Sequence, residues 1–167
     1  MPANFVNGTE TDRADWAKAI AYISQTPEGA FLAGQLWTNN LTVVFTYDGN
    51  DSYDNVNNIL YWDSKSTLNV VQPNGEIGAQ SAALGLLHEL YHWYTKKITG
   101  GFDEYLATAY ETRAADLLGE PARAHYNAIY SVNPSAHADD TTASAKGGYW
   151  KKVEEVRLFK ARSMIQM

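Results

Sequence analysis

The pentapeptide His88-Glu89-Leu90-Tyr91-His92 constrains this chain more than any other stretch, because it lies within an apolar segment that has the character of a helix. Residues four apart lie on one face of a helix, so His88 and His92 can direct their imidazoles at one metal ion. Glu89 is turned by about 100° from His88 around the helix axis, where its carboxylate can reach a water beside the metal without binding the metal itself. This spacing predicts a zinc site with its own general base.

The residues around the pentapeptide predict a buried helix over 81–97. This segment contains no proline, and its last residues, Lys96 and Lys97, suit the negative end of a helix dipole before Gly100 and Gly101 end the helix. Apolar side chains surround the helix axis, namely Leu86, Leu87, Leu90, Tyr91 and Trp93. Burying two histidines and a glutamate is costly unless a partner satisfies them, which favours a metal over a hydrogen-bonded pair of core histidines.

The composition limits how a metal is held and which partners the chain has. With 167 residues, 45% of them hydrophobic, the chain fits one domain, residues 1–167, with a core of its own. Because it has no cysteine, any metal site must use histidine and carboxylate ligands. The net charge of −6 and the lack of a basic segment argue against nucleic acid as a partner.

The sequence has neither an apolar run long enough to cross a membrane nor the features of a cleavable signal peptide within residues 1–4. We therefore expect a protein that is made in the cytoplasm and has no membrane span.

The rest of the pattern predicts an α+β domain, in which a small antiparallel sheet packs against helices that include the 81–97 helix. The predicted strands are 41–47, 58–62 and 67–71, with turns at 48–51 and 72–75. The predicted helices, besides 81–97, are 9–25 with Thr9 or Thr11 as N-cap, 29–36, 103–118, 122–130 and 150–164. The segment 133–148 is predicted to be a mobile loop. An edge strand of the sheet can pair with an extended peptide.

A catalytic zinc needs a third protein ligand, and the predicted helix 103–118 offers three acids. Glu104 follows His92 by 12 residues, enough for a turn and a second helix that folds back on the first. Asp103 competes with it for this role. Glu111 lies two helical turns beyond Glu104, where it can orient a ligating histidine through the other ring nitrogen or serve as the ligand itself.

Arg123 and Tyr126 are three residues apart on the predicted helix 122–130, so they are expected to share a face. A guanidinium and a phenol directed into the site can stabilise the oxyanion that forms when water attacks a peptide carbonyl. His125 points elsewhere, and His137 lies in the predicted loop, so neither is expected to take part.

Taken together, these segments resemble the NleD-like effector metallopeptidases, which are secreted bacterial zinc proteases and toxin domains. The resemblance covers about residues 59–130. It rests on the following stretches: Ile59-Leu60-Tyr61-Trp62-Asp63, the His88 to His92 motif, Asp103-Glu104-Tyr105-Leu106-Ala107, Glu111-Thr112, Gly119-Glu120-Pro121-Ala122-Arg123 and Tyr126. Asp103 stands where the family has Glu, Thr112 where Asn is common, and Ala115 where Arg is common.

The resemblance implies a zincin-like fold and a site layout similar to that of the clostridial neurotoxin light chains. It implies Zn²⁺ bound by His88, His92 and Glu104, with Glu89 as the base. It further implies Glu111 as the acid behind a ligand, and a transition-state pair formed by Arg123 and Tyr126.

The resemblance also implies a function, namely the cleavage of a protein inside a target cell. Such a protein leaves the bacterial cytoplasm through a secretion system, and an immunity protein or a chaperone is the expected partner. Two alternatives stay open. One is an interbacterial toxin that acts on an envelope protein or a cell-wall peptide. The other is a binding module that keeps the metal for stability and does not turn over.

Overall fold

The computed structural model of this chain describes residues 3–99, 103–133 and 140–145. Within these residues the fold is mixed α+β, with four helices and two small sheets, which confirms the α+β class. The helices are α1 (Glu10–Ile23), α2 (Pro27–Gln35), α3 (Ala82–Thr99) and α4 (Glu104–Leu118). The strands are β1 (Ala3–Phe5), β2 (Leu41–Phe45), β3 (Ser52–Asp54), β4 (Ile59–Trp62), β5 (Thr67–Val71), β6 (Ile77–Gln80) and β7 (Ile129–Asn133).

The two N-terminal helices begin at threonines that act as N-caps. The Thr9 side chain accepts a hydrogen bond from the Asp12 amide (3.2 Å), and the Asp12 carboxylate accepts one from the Thr9 amide (2.9 Å), so Thr9 is the cap of α1. Thr26 caps α2 through the Gly29 amide. At Gly29 a Cβ atom would stand 1.9 Å from the Ile23 carbonyl oxygen, so a glycine is needed for α2 to start directly against the end of α1.

The first sheet has the strand order β1-β2-β4-β3, in which β1, β2 and β4 are parallel and the edge strand β3 is antiparallel. The prediction of one antiparallel sheet from 41–47, 58–62 and 67–71 is therefore wrong. The chain leaves β2, forms β3 at the edge and returns between the two as β4, so β2 and β4 point the same way. The hydrophobic pattern reports which face of a strand is buried and carries no information about this route.

The second sheet has the order β6-β5-β7, and both of its strand pairs are antiparallel. The predicted turn at 72–75 connects β5 to β6. The Gly75 amide donates to the Gln72 carbonyl (2.9 Å), and Gly75 adopts a φ of 86°, which favours glycine. Segment 67–71 is thus a strand, as predicted, in a different sheet.

The predicted helix 122–130 is wrong. The Val71 amide donates to the Ala128 carbonyl (2.9 Å), and the Ala124 amide donates to the Val71 carbonyl (2.9 Å), so this segment bonds to the end of β5 and forms only turn hydrogen bonds within itself. It then continues as β7. The stretch after Pro121 is rich in alanine, which favours a helix, but pairing with β5 satisfies the backbone groups instead.

Two further predictions fall partly or wholly outside the described residues. Of the predicted loop 133–148, Asn133 ends β7, and Ala145 exchanges two backbone hydrogen bonds with Ala79 of β6 (2.8 and 3.0 Å). The predicted helix 150–164 lies outside the described residues.

The helix α3 lies at the centre of the fold, as its apolar pattern predicts. It packs against the other three helices and against strands of both sheets. Its leucines and Trp93 are buried, and the Trp62 indole donates to the Ala82 carbonyl (2.8 Å), which joins β4 to the first turn of α3. The Ser81 hydroxyl accepts from the Leu84 amide (3.1 Å) and so caps the helix. None of the described helices meets the length and hydropathy needed to cross a membrane.

Candidate metal centre

Two histidines one turn apart on α3 direct their Nε2 atoms at the same point. The Nε2 atoms of His88 and His92 are 3.2 Å apart, and the ring planes are inclined by 70°. Both side chains are buried. The leucines on the other faces of α3 anchor the helix in the core, so the face that carries the histidines is held against the start of α4.

Glu104 brings a carboxylate to this point from the first turn of α4. Its Oε1 lies 2.7 Å from the His92 Nε2, and its Oε2 lies 3.1 Å from the His88 Nε2. The carboxylate is only partly buried, so it borders the cleft described below. His88, His92 and Glu104 thus form a group that can hold a metal ion.

The spacing of the donor atoms fits a tetrahedral metal. With bonds of about 2.0–2.1 Å, the corners of a tetrahedral zinc site lie about 3.3 Å apart. The separations among the two imidazole nitrogens and the nearest carboxylate oxygens are 2.7, 3.1 and 3.2 Å. Two imidazoles and one carboxylate beside a cleft form a donor set that suits a catalytic site.

The structure distinguishes between the three acids that the sequence offers as the third ligand, Asp103, Glu104 and Glu111. The Asp103 carboxylate accepts a hydrogen bond from the Leu106 amide (3.0 Å) and caps α4, so this side chain is engaged at the helix start. The Glu111 carboxylate lies on the far side of His88, beside Nδ1. Glu104 therefore has the geometry of the third ligand, and Glu111 that of the acid behind a ligand.

Glu111 is fixed by three groups at once. Its Oε1 lies 2.9 Å from the His88 Nδ1 and accepts a hydrogen bond from Arg123 Nη2 (2.6 Å). Its Oε2 accepts hydrogen bonds from Arg123 Nε (3.0 Å) and from the side-chain amide of Gln80 through Nε2 (3.2 Å). If His88 carries its proton on Nδ1, the lone pair of Nε2 faces the metal position. Gln80, at the end of β6, was not anticipated, and no motif in the sequence indicates it.

Charges within the site shift pKa values in opposite directions. Burial lowers the pKa of His88, but hydrogen bonds with Glu104 and Glu111 outweigh burial and raise it to about 9. Burial and the neighbouring His88 lower the pKa of His92 to about 4. Burial raises the pKa of Glu111, yet His88 and Arg123 bring it down to about 2. At neutral pH and without a bound metal, His88 is therefore protonated, His92 is neutral and Glu111 is ionised.

Glu89 lies in the wall of the same cleft, beside the ligand group. Its side chain is 9% exposed, and it does not belong to the metal-holding group. Burial raises the pKa of Glu89 to about 7, with the negative charges of Glu104 and Glu111 adding to the effect and His88 opposing it. A carboxyl group with a pKa near neutrality can accept a proton and release it again at physiological pH.

Arg123 and Tyr126 both reach the cleft, although no helix carries them. The Tyr126 ring stacks on His88 at 6.4 Å, with the planes inclined by 20°, and its hydroxyl is hydrogen-bonded to Glu104. Burial and the Glu104 charge raise the pKa of Tyr126. Arg123 is buried, and besides its bonds to Glu111 it donates through Nη1 to the Tyr126 carbonyl (3.1 Å). The shared-helix-face argument for this pair is thus wrong, while its placement at the site is as predicted.

A cleft of about 290 Å³ opens over the ligand group. Its lining includes His88, Glu89, Glu104, Glu111, Arg123 and Tyr126. On the side of the first sheet it is bordered by the edge strand β3 and by Asp51, which directly precedes that strand. Asp51 and Gly85, which it contacts, were not anticipated, because the sequence of the 48–51 turn indicates only its turn chemistry.

The two remaining histidines add nothing to this site. His125 is exposed to solvent and does not line the cleft. His137 lies outside the described residues.

No family model, curated protein or solved structure matches this chain. The assignments below therefore rest on the site itself and on the motif resemblance.

Proposed function

We propose that this chain is a zinc-dependent endopeptidase that cleaves a protein substrate. The observation that carries the proposal is the convergence of His88, His92 and Glu104 on one point, with the Glu89 carboxyl beside it in an open cleft. Two imidazoles and a carboxylate form a ligand set typical of catalytic zinc in peptidases. A site that serves stability alone normally has four protein ligands, whereas this group has three among the described residues, which favours catalysis over the binding-module alternative.

Zinc, when bound, lowers the pKa of a water and polarises the scissile carbonyl. Glu89 is the group that removes the proton from the attacking water and delivers it to the leaving amine. Its raised pKa of about 7 suits both steps, because the same carboxyl must first accept and then donate.

Glu111 and Arg123 act through the ligands. Glu111 holds the His88 ring by its Nδ1 atom, and Arg123 together with Gln80 holds Glu111. The donors of Arg123 are directed at Glu111 and at the Tyr126 carbonyl, so its geometry favours this positioning role over direct contact with the oxyanion. Tyr126, 38% exposed and hydrogen-bonded to Glu104, is better placed to donate to the oxyanion.

The edge strand β3 supports an extended substrate. It is hydrogen-bonded to β4 on one side, and its residues Ser52 and Tyr53 line the cleft. A peptide that adds to this edge as a further strand would lie alongside the ligand group with its backbone extended, which is the conformation that peptidases bind.

The identity of the target comes from the resemblance alone. We propose a protein inside a target cell as substrate and delivery by a bacterial secretion system, with an immunity protein or a chaperone as partner. Toxicity on expression in the periplasm but not in the cytoplasm would favour the alternative substrates, an envelope protein or a cell-wall peptide.

The test is to incubate zinc-loaded protein with lysates of bacterial and eukaryotic cells and to identify new protein N-termini by mass spectrometry. Glu89→Gln is the matched control, because it keeps the shape of the side chain and leaves the ligands in place. We expect new termini with the wild-type protein that disappear with Glu89→Gln and with a chelator, a loss of about 10²-fold or more in rate. Equal cleavage by Glu89→Gln would contradict the mechanism.

A further inference from the structure

A second carboxylate, that of Asp51, lies in the cleft wall one helical turn from Glu89. Asp51 directly precedes β3, and its Oδ1 accepts a hydrogen bond from the Asp63 amide (2.8 Å), which follows β4. The side chain is thereby fixed between the start of one strand and the end of its neighbour. It is partly accessible and borders the cleft.

The first turns of α3 leave space for this carboxylate. A Cβ atom at Gly85 would stand 2.6 Å from the Asp51 Oδ2, so any residue other than glycine would displace the carboxylate. Gly85 and Glu89 are four residues apart and share a face of α3. The two acids therefore line the same wall of the cleft, at positions that four residues of helix separate by about 6 Å along its axis.

The charged groups that act on Asp51 within the described residues are mainly acidic. Glu89 and Asp63 raise the pKa of the Asp51 carboxyl and His88 lowers it, while His88 itself is paired with Glu104 and Glu111. Burial raises the pKa of Asp51 well above its usual value, and a cationic substrate side chain bound beside it would favour the ionised carboxylate. The hydrogen bond from the Asp63 amide needs only an oxygen, which an asparagine would supply as well, so the structural role does not require an acid.

We propose that Asp51 is a specificity-determining residue that selects substrates with a lysine or arginine within two residues of the scissile bond. This inference rests on the proposed function. Two residues of an extended peptide span about 6.6 Å, which matches the separation of Asp51 from Glu89 along the cleft. A carboxylate in a partly desolvated site forms strong hydrogen bonds with ammonium and guanidinium groups. The apolar stem of either side chain suits the neighbouring Tyr53 and Leu68 of the cleft lining.

The test compares fluorescein-labelled decapeptide pools that carry either lysine or methionine at one position, with each position scanned in turn. Methionine matches the length of the lysine stem without its charge. Cleavage is measured as kcat/KM with zinc-loaded protein, and binding is measured by anisotropy with the Glu89→Gln protein.

We expect lysine to be preferred over methionine by about tenfold to hundredfold at one position, and we expect Asp51→Asn to bring this ratio towards one. Gly85→Ala, which displaces the same carboxylate, should reduce it as well. Asp48→Asn is the matched control, since Asp48 is exposed in the same turn.

The outcomes separate this inference from the proposed function. Cleavage without a lysine preference, or with one that Asp51→Asn retains, overturns the role of Asp51 and leaves the peptidase proposal intact. A third outcome is binding that prefers lysine and loses this preference in Asp51→Asn, while the zinc-loaded wild-type protein cleaves neither pool. This outcome supports the Asp51 subsite and overturns the peptidase proposal. Failure to bind or cleave either pool overturns both.

Discussion

Glu111 and Glu120 lie near each other in the sequence and are both buried, yet their carboxylates have opposite surroundings. Glu111 contacts two cationic groups, Arg123 and His88, and its pKa falls to about 2 in spite of burial. The partners of Glu120 are neutral: the Ser81 amide (2.8 Å), the Ser81 hydroxyl (2.7 Å) and the Tyr22 hydroxyl (2.6 Å). Burial raises the pKa of Glu120, and these hydrogen bonds only partly oppose it.

The difference separates a carboxylate that serves the metal site from one that serves the fold. Glu111 contacts the imidazole of His88, which belongs to the group that could hold a metal ion. Glu120 joins α1 to the start of α3 through Tyr22 and Ser81 and does not line the cleft. Burial alone therefore does not distinguish the two acids, whereas contact with a histidine of the group that could hold a metal ion does.

The largest effect is expected from Glu111→Ala. The substitution leaves the Arg123 guanidinium buried without its carboxylate, which should cost about 3–5 kcal/mol in the free energy of unfolding. It also releases the His88 ring, which should weaken zinc binding by about 10- to 100-fold. Urea unfolding and zinc competition titration measure the two effects. A Glu111→Ala protein with wild-type zinc affinity would show that Glu111 has only a structural role.

Glu120→Ala should be milder and should affect stability alone. It leaves the Ser81 amide and the Tyr22 hydroxyl without their acceptor, at a cost of about 1–3 kcal/mol in unfolding free energy. Zinc affinity, measured in the folded protein by the same titration, should stay at the wild-type value. A marked loss of zinc affinity would mean that the link from α1 to α3 controls the site, and the contrast between the two acids would fail.

The smallest expected effect is on the number of protons that the protein releases when it binds zinc. Because the pKa of His88 is raised to about 9, its protonated form stabilises the metal-free fold below about pH 6.5, and this contribution is lost as the pH rises through 9. Zinc must displace that proton, so binding at pH 7 should release about one proton, and release should vanish above pH 9. Calorimetry in buffers of different ionisation enthalpy measures this number. Glu111→Gln should reduce it, since the charge that holds the proton is removed, whereas Glu120→Gln should not.

Local pattern was sufficient for the helices that carry the site. The apolar periodicity around the His88 to His92 pentapeptide predicted a buried helix, and the helix start at Asp103 and Glu104 followed from two acids that suit the positive end of a helix dipole. Because contacts within a helix are local, the spacing of His88 and His92 on α3, and of Glu104 and Glu111 on α4, correctly predicted which residues share a helix face.

Features that depend on distant pairing were not predictable in the same way. The parallel pairing of β2 with β4 and the strand β7 arise from contacts between segments far apart in the sequence, and hydrophobic alternation does not specify the partner. The same holds for single side chains. Gln80 and Asp51 reach the site only because β6 ends and β3 begins there, and nothing in their own neighbourhoods indicates it.

The central claim is that His88, His92 and Glu104 together bind one zinc ion, and an equilibrium zinc titration against a competing chelator tests it most directly. We predict one zinc per wild-type chain and an affinity at least about 10-fold weaker for Glu104→Gln, which replaces a charged ligand by a neutral amide of the same size. Asp103→Asn, which removes the charge next to Glu104 and keeps the helix cap, should leave the zinc affinity unchanged. A wild-type chain that binds no zinc, or a Glu104→Gln chain that binds it equally well, would contradict the account.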